Sequence, residues 1–94
     1  MEIFYYPVEW TEIVRSHKLK NKNIGFVPTM GALHEGHISL IKKSKLENKV
    51  TVVSIYVNQT QFNDQNDFNN YPANIDSDIE ILEQNKVDYL FLPN

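Results

Sequence analysis

One run, Val50-Thr51-Val52-Val53-Ser54-Ile55-Tyr56-Val57, limits the possible folds more than any other part of this chain. It is β-branched almost throughout, and apolar at odd and even positions alike. A strand of that kind belongs in the middle of a parallel sheet with both faces covered. The rest of the chain must therefore supply parallel neighbours and helices. Ile3-Phe4-Tyr5-Tyr6 reads as a short strand closed by Pro7. Trp10, Ile13, Val14 and His17 follow at i, i+3, i+4 and i+7, one stripe of a helix, with a turn at Asn21-Lys22-Asn23. Ile24-Gly25-Phe26-Val27 reads as a buried strand stopped by Pro28. After a loop over Thr29 to Gly36 comes a helix that turns Ile38, Leu40 and Ile41 inward and Lys42, Lys43 and Lys45 outward. A polar loop over Asn58 to Asn66 leads, past Phe68, Tyr71 and Pro72, to a helix with Ile75, Ile79 and Leu82 at i, i+4 and i+7. Asp76 and Asp78 fall in its first turn, where the helix dipole favours negative charge. Val87 to Leu92 is a closing strand. Strand alternating with helix, joined by connections too long for hairpins, predicts an α/β fold with a parallel sheet and right-handed crossovers. Ligands of such sheets bind outside the carboxyl ends of the strands, here at Pro28–Gly36 and Asn58–Asn66.

Composition narrows the partners. At 94 residues the chain is one domain with a thin core. A net charge of −3, with eight lysines and the single Arg15, argues against nucleic acid as a partner. No apolar run approaches the roughly 18–20 residues of a membrane span, and the first residues lack a secretory pattern. With no cysteine there is neither a disulfide frame nor a thiolate site, which suits a reducing cytoplasm.

The chemistry concentrates in Pro28-Thr29-Met30-Gly31-Ala32-Leu33-His34-Glu35-Gly36-His37, between a strand and a helix. Gly31 and Gly36 permit positive φ and close backbone approach, and the helix start offers N–H groups and a positive dipole end to an anion. His34 and His37, three apart, share one face of a first helical turn. Two imidazoles beside oriented amides suit a phosphate whose charge grows in a transition state. The loop is neither a Walker loop nor a GxGxxG turn. Paired histidines near a helix cap are also ordinary polar residues, and a zinc site would need a third ligand that only His17 or a distant carboxylate offers.

The stretch Val27 to His37 closely resembles pantoate–β-alanine ligases (pantothenate synthetases), within the wider HxGH nucleotidyltransferase superfamily. Val53-Ser54-Ile55-Tyr56-Val57-Asn58-Gln59-Thr60-Gln61-Phe62, then Asp67-Phe68 and Tyr71-Pro72, is similar to that family's V-S-I-F-V-N-P-x-Q-F and D-[LF]-x-x-Y-P-R blocks, in the same order. Gln59 replaces the usual proline and Ala73 the usual arginine.

The resemblance implies a Rossmann-like nucleotidyltransferase domain of which residues 1–94 form the amino-terminal part, the remainder of that domain and a carboxy-terminal domain lying outside this chain. It implies ATP-dependent condensation of pantoate with β-alanine through a pantoyl adenylate. His37 and His34 would be catalytic, with His37 as proton donor, and Met30, Gly31, Ala32, Leu33, His34, Glu35, Gly36 and His37 would line the ATP site. Gln61 would hold pantoate and β-alanine, with Thr29 and Asn58 as further pantoate contacts. Mg²⁺ would ride on the triphosphate, with no metal held by the protein itself. A cytoplasmic homodimer is implied, and 94 residues alone should be inactive. Two other readings are a different HxGH small-molecule adenylyltransferase and a non-catalytic, self-associating fragment.

Overall fold

A computed structural model describes residues 1–56 and 75–93. Within them, β1 (Glu2–Phe4), α1 (Pro7–Leu19), β2 (Ile24–Thr29), α2 (Glu35–Glu47), β3 (Val50–Ile55), α3 (Ile75–Gln84) and β4 (Tyr89–Phe91) follow one another. The strands form one sheet in the order β1-β4-β3-β2, every adjacent pair parallel. The predicted α/β architecture is therefore the observed one.

All six residues of β3 are buried, and their alternation assigns them to two cores. Val53 and Ile55 join Val27, Ile41, Leu82, Val87 and Leu90 on the face covered by α2 and α3. Val50 and Val52 join Phe4 on the other face, where Trp10 and Ile13 of α1 pack with Tyr89 and Phe91. The first crossover runs from one edge of the sheet to the other and the next two step back. Crossovers of a single hand then place α1 opposite α2 and α3.

Several local expectations are corrected. β1 ends at Phe4, leaving Tyr5 and Tyr6 exposed, and Pro7 opens α1 at the position where a missing N–H costs nothing. β4 is shorter than Val87–Leu92, yet Val87 still joins the core. Pro28 does not stop β2, which continues through Thr29. β2 is an edge strand, and the Thr29 carbonyl accepts from Tyr56 N at 3.0 Å. Thr29 thus faces β3, and the prolyl nitrogen one residue earlier falls on the open side, where no ladder bond is lost. Leu40 is exposed rather than inward; Ile41 and Ser44 face the sheet. The close seating of α2 depends on Gly25, where a Cβ would collide with Ser44 Oγ and come within 2.5 Å of Asn48 Nδ2.

Candidate functional site

The loop from Met30 to Leu33 joins the carboxyl end of β2 to α2, and its backbone is bent sharply. Gly31 has φ 90° and Ala32 φ 52°, the left-handed region that glycine enters freely and alanine only under constraint. The constraint is visible. Gly31 N donates to Thr29 Oγ1 at 3.2 Å, while Ala32 N and Leu33 N donate to the two oxygens of Asp78 at 3.0 and 2.9 Å. Thr29, buried, also donates its hydroxyl proton to the Ser54 carbonyl at 2.9 Å, so this side chain ties the loop to β3.

His34 is the N-cap of α2, with extended backbone, and it caps in an unusual way. Its Nδ1 accepts from Gly36 N at 3.0 Å, and its own N–H donates to His37 Nδ1 at 3.1 Å. The pair is a reciprocal capping box in which two imidazoles stand where Ser or Thr and Glu usually do. A ring nitrogen that accepts an amide bond carries no proton, so each neutral ring is held as the Nε2–H tautomer. The ring centroids are 4.2 Å apart, tilted by 49°. Burial first, and the neighbouring His34 second, lower the His37 pKa, while Asp78 opposes part of that shift.

The predicted pair of imidazoles is thus brought together at a helix start, but the amides expected to receive the anion are largely engaged. Those of Gly31, Ala32, Leu33, His34 and Gly36 already have acceptors within the protein. Gly36 serves another purpose than positive φ. It lies inside α2, where a Cβ would come within 2.9 Å of His34 Cε1, so its bareness makes room for the capping ring. Met30, Ala32, His34 and Glu35 are exposed, and Leu33 packs against the core. Asn58, Gln59, Gln61, Tyr71 and Ala73 lie outside the described residues. His17 is remote from this loop, with its Nε2 2.8 Å from the Tyr89 hydroxyl. Among the described residues no three His, Asp or Glu side chains converge as metal ligands, and no helix is long and apolar enough to cross a membrane.

Asp78 is the residue that sequence reasoning missed as part of this site. Its place in the first turn of α3 suits the helix dipole, yet it is only 2% exposed. The signal was present: Ile75, Asp78, Ile79 and Leu82 stand at i, i+3, i+4 and i+7, which puts a carboxylate on the inward stripe of α3.

Comparison with known proteins bears on this loop directly. The profile of the pantoate-beta-alanine ligase family matches residues 2–94. The chain belongs to that family. The pantothenate synthetase of Francisella philomiragia is 56% identical over 87 residues, covering 93% of this chain and 33% of the relative. That of Thermodesulfovibrio yellowstonii is 50% identical over 94 residues, covering all of this chain and 34% of the relative. A pantoate-beta-alanine ligase from Francisella tularensis, crystallised with Beta-gamma ATP and beta-alanine, superposes with a TM-score of 0.79 at 53% identity, over 99% of this chain and 35% of that one. The chain spans about a third of the length of the curated ligases it matches. Its sheet is the Rossmann-like nucleotidyltransferase architecture of those ligases.

Proposed function

We propose that this chain supplies the HxGH half of a pantoate–β-alanine ligase site. The full reaction begins when a pantoate carboxylate oxygen attacks the α-phosphorus of ATP. The α–β phosphoanhydride bond breaks and pyrophosphate leaves. The β-alanine amine then attacks the acyl carbon of the pantoyl adenylate, loses a proton, and expels AMP to give pantothenate. Magnesium enters with the triphosphate as part of the substrate.

The observation that carries this reading is the reciprocal histidine cap. It orients two rings from one helix start and leaves the proton of each on Nε2, a donor suited to phosphate oxygens in the neutral state. This refines the part expected of His37. A lowered pKa favours a neutral ring, which gives a hydrogen bond to the transferring phosphoryl group in preference to a full proton. Met30 to His37 line the nucleotide side. Gln61 and Asn58 take pantoate, and Gln61 also meets β-alanine, since an amide both donates and accepts without competing as a nucleophile. Thr29 contributes by fixing the loop. The reading includes a cytoplasmic homodimer and no turnover by these 94 residues alone.

The decisive experiment replaces the matching third of the Francisella tularensis ligase with this chain and measures pantoate-dependent ATP–pyrophosphate exchange in the chimera. Exchange that depends on pantoate and His37 is the expected result; a folded chimera that exchanges without pantoate, or equally well after His37→Ala, contradicts it. A rise in the melting temperature of the chain with ATP is the companion expectation, since a ligand bound only to the folded state stabilises it.

A further inference from the structure

Among the described residues, Asp78 is the only buried carboxylate. A carboxylate withdrawn from water needs donors, and this one has a backbone amide on each oxygen, from the consecutive residues Ala32 and Leu33. Those amides converge because the chain turns through positive φ at Gly31 and Ala32, which folds successive N–H groups into one concave anion cradle. The cradle is filled by a side chain from α3, more than forty positions away in sequence. The next residue is His34, whose N–H meets His37 Nδ1. One continuous path thus runs from the Asp78 oxygens through two amides to the backbone of the cap and on to the second imidazole.

We propose that Asp78 is a positioning residue: by clamping Ala32 and Leu33 it sets the His34 backbone so that both imidazoles are held as Nε2–H tautomers facing the nucleotide. The catalytic meaning of this clamp rests on the ligase reading above, whereas the clamp itself does not. Asp78 also acts on His37 through its charge, pulling the ring pKa upward against the larger effect of burial and that of His34. Loss of the carboxylate therefore has two consequences at one ring: a freer tautomer and an easier loss of the second proton. A residue that merely stabilised α3 would produce neither.

The test is long-range ¹H–¹⁵N spectroscopy of the imidazoles in the ¹⁵N-labelled 94-residue chain. In the unaltered chain, above the imidazole titration range, His34 and His37 should each show a single Nε2–H signature. In Asp78→Asn, which keeps the size but removes the charge and one acceptor, the His37 signature should become mixed and its titration should move to lower pH. His17, bonded to Tyr89 at a distance from the loop, should keep its signals and so report that the fold is intact. A variant whose His34 and His37 signals superpose on those of the unaltered chain overturns the proposal. Amide exchange in the unaltered chain gives a second test that needs no variant. Ala32 and Leu33 should exchange at least about tenfold slower than free peptide. Exchange at the free-peptide rate overturns the clamp even if Asp78→Asn fails to fold. A mixed tautomer in Asp78→Asn, together with a chimera that ignores pantoate, retains the clamp and removes the ligase reading.

Discussion

The chain holds three histidines, and the two ends of its sheet use them in opposite ways. At the amino ends of the strands His17, in the last turn of α1, pairs its Nε2 with the Tyr89 hydroxyl, and its Nδ1 is buried with no partner among the described residues. Burial first, then Glu2 and Asp88, raise the Tyr89 pKa, so that hydroxyl stays protonated and the contact persists as a fastening between helix and sheet. At the carboxyl ends His34 and His37 instead accept backbone N–H groups at Nδ1, and their protons remain on Nε2. The same side chain thus closes a seam in one place and prepares a donor in the other. The nitrogen occupied by the fold decides which.

The largest expected difference between the ends is catalytic. In the chimera, His37→Ala should lower pantoate-dependent exchange by about 100-fold, the scale of losing one donor to a developing oxyanion. His17→Ala in a folded chimera should leave exchange within about twofold, as surface or fastening changes remote from chemistry do. Equal losses from the two substitutions would erase the distinction. Gly36→Ala comes next. Its methyl group displaces the His34 ring, a removal of the cap worth about 1 kcal/mol in a urea titration, and the ATP-induced thermal shift should shrink with it. Tyr89→Phe is the matching test at the far end. Removing one net hydrogen bond should cost about 1 kcal/mol, with exchange in the chimera unaltered.

Acid should produce the smallest effect, with a definite sign. His37 binds its second proton less readily folded than unfolded. Its contribution is therefore complete above the unfolded imidazole value of about 6.5 and is lost as pH falls below that value toward the lowered folded pKa. Melting temperatures measured across this range should decline more in the unaltered chain than in His37→Gln. Parallel profiles would place the acid sensitivity elsewhere.

The covered faces of β3 and the stripe of α3 are visible in single residues, because strand and helix periods map directly onto which side chains avoid water. The parallel sheet and the pairing of His34 with His37 follow from the same local rules and were legible. Leu40 is exposed because an apolar residue at helical spacing need not be covered, and the packing around Gly25 turns Ser44 inward beside the expected Ile41. Pro28 sits inside β2 because that strand is an edge, a property of the whole sheet that no local pattern carries. Asp78 does stand in the first turn of α3, where its acidity has a sufficient local explanation, while its hydrogen-bond partners lie on a distant loop that the local pattern does not record.

The sequence by itself determined the α/β alternation, the buried central strand and the nucleotide-family loop, all of which depend on residues close together along the chain. Only the tertiary structure decided that the loop amides face a carboxylate and that each imidazole keeps its proton on Nε2. The first outcome depends on groups more than forty positions apart meeting at hydrogen-bond distance, and the second on which ring nitrogen a neighbouring amide reaches; hydrogen bonds are short and directional enough that periodicity alone carries no record of either.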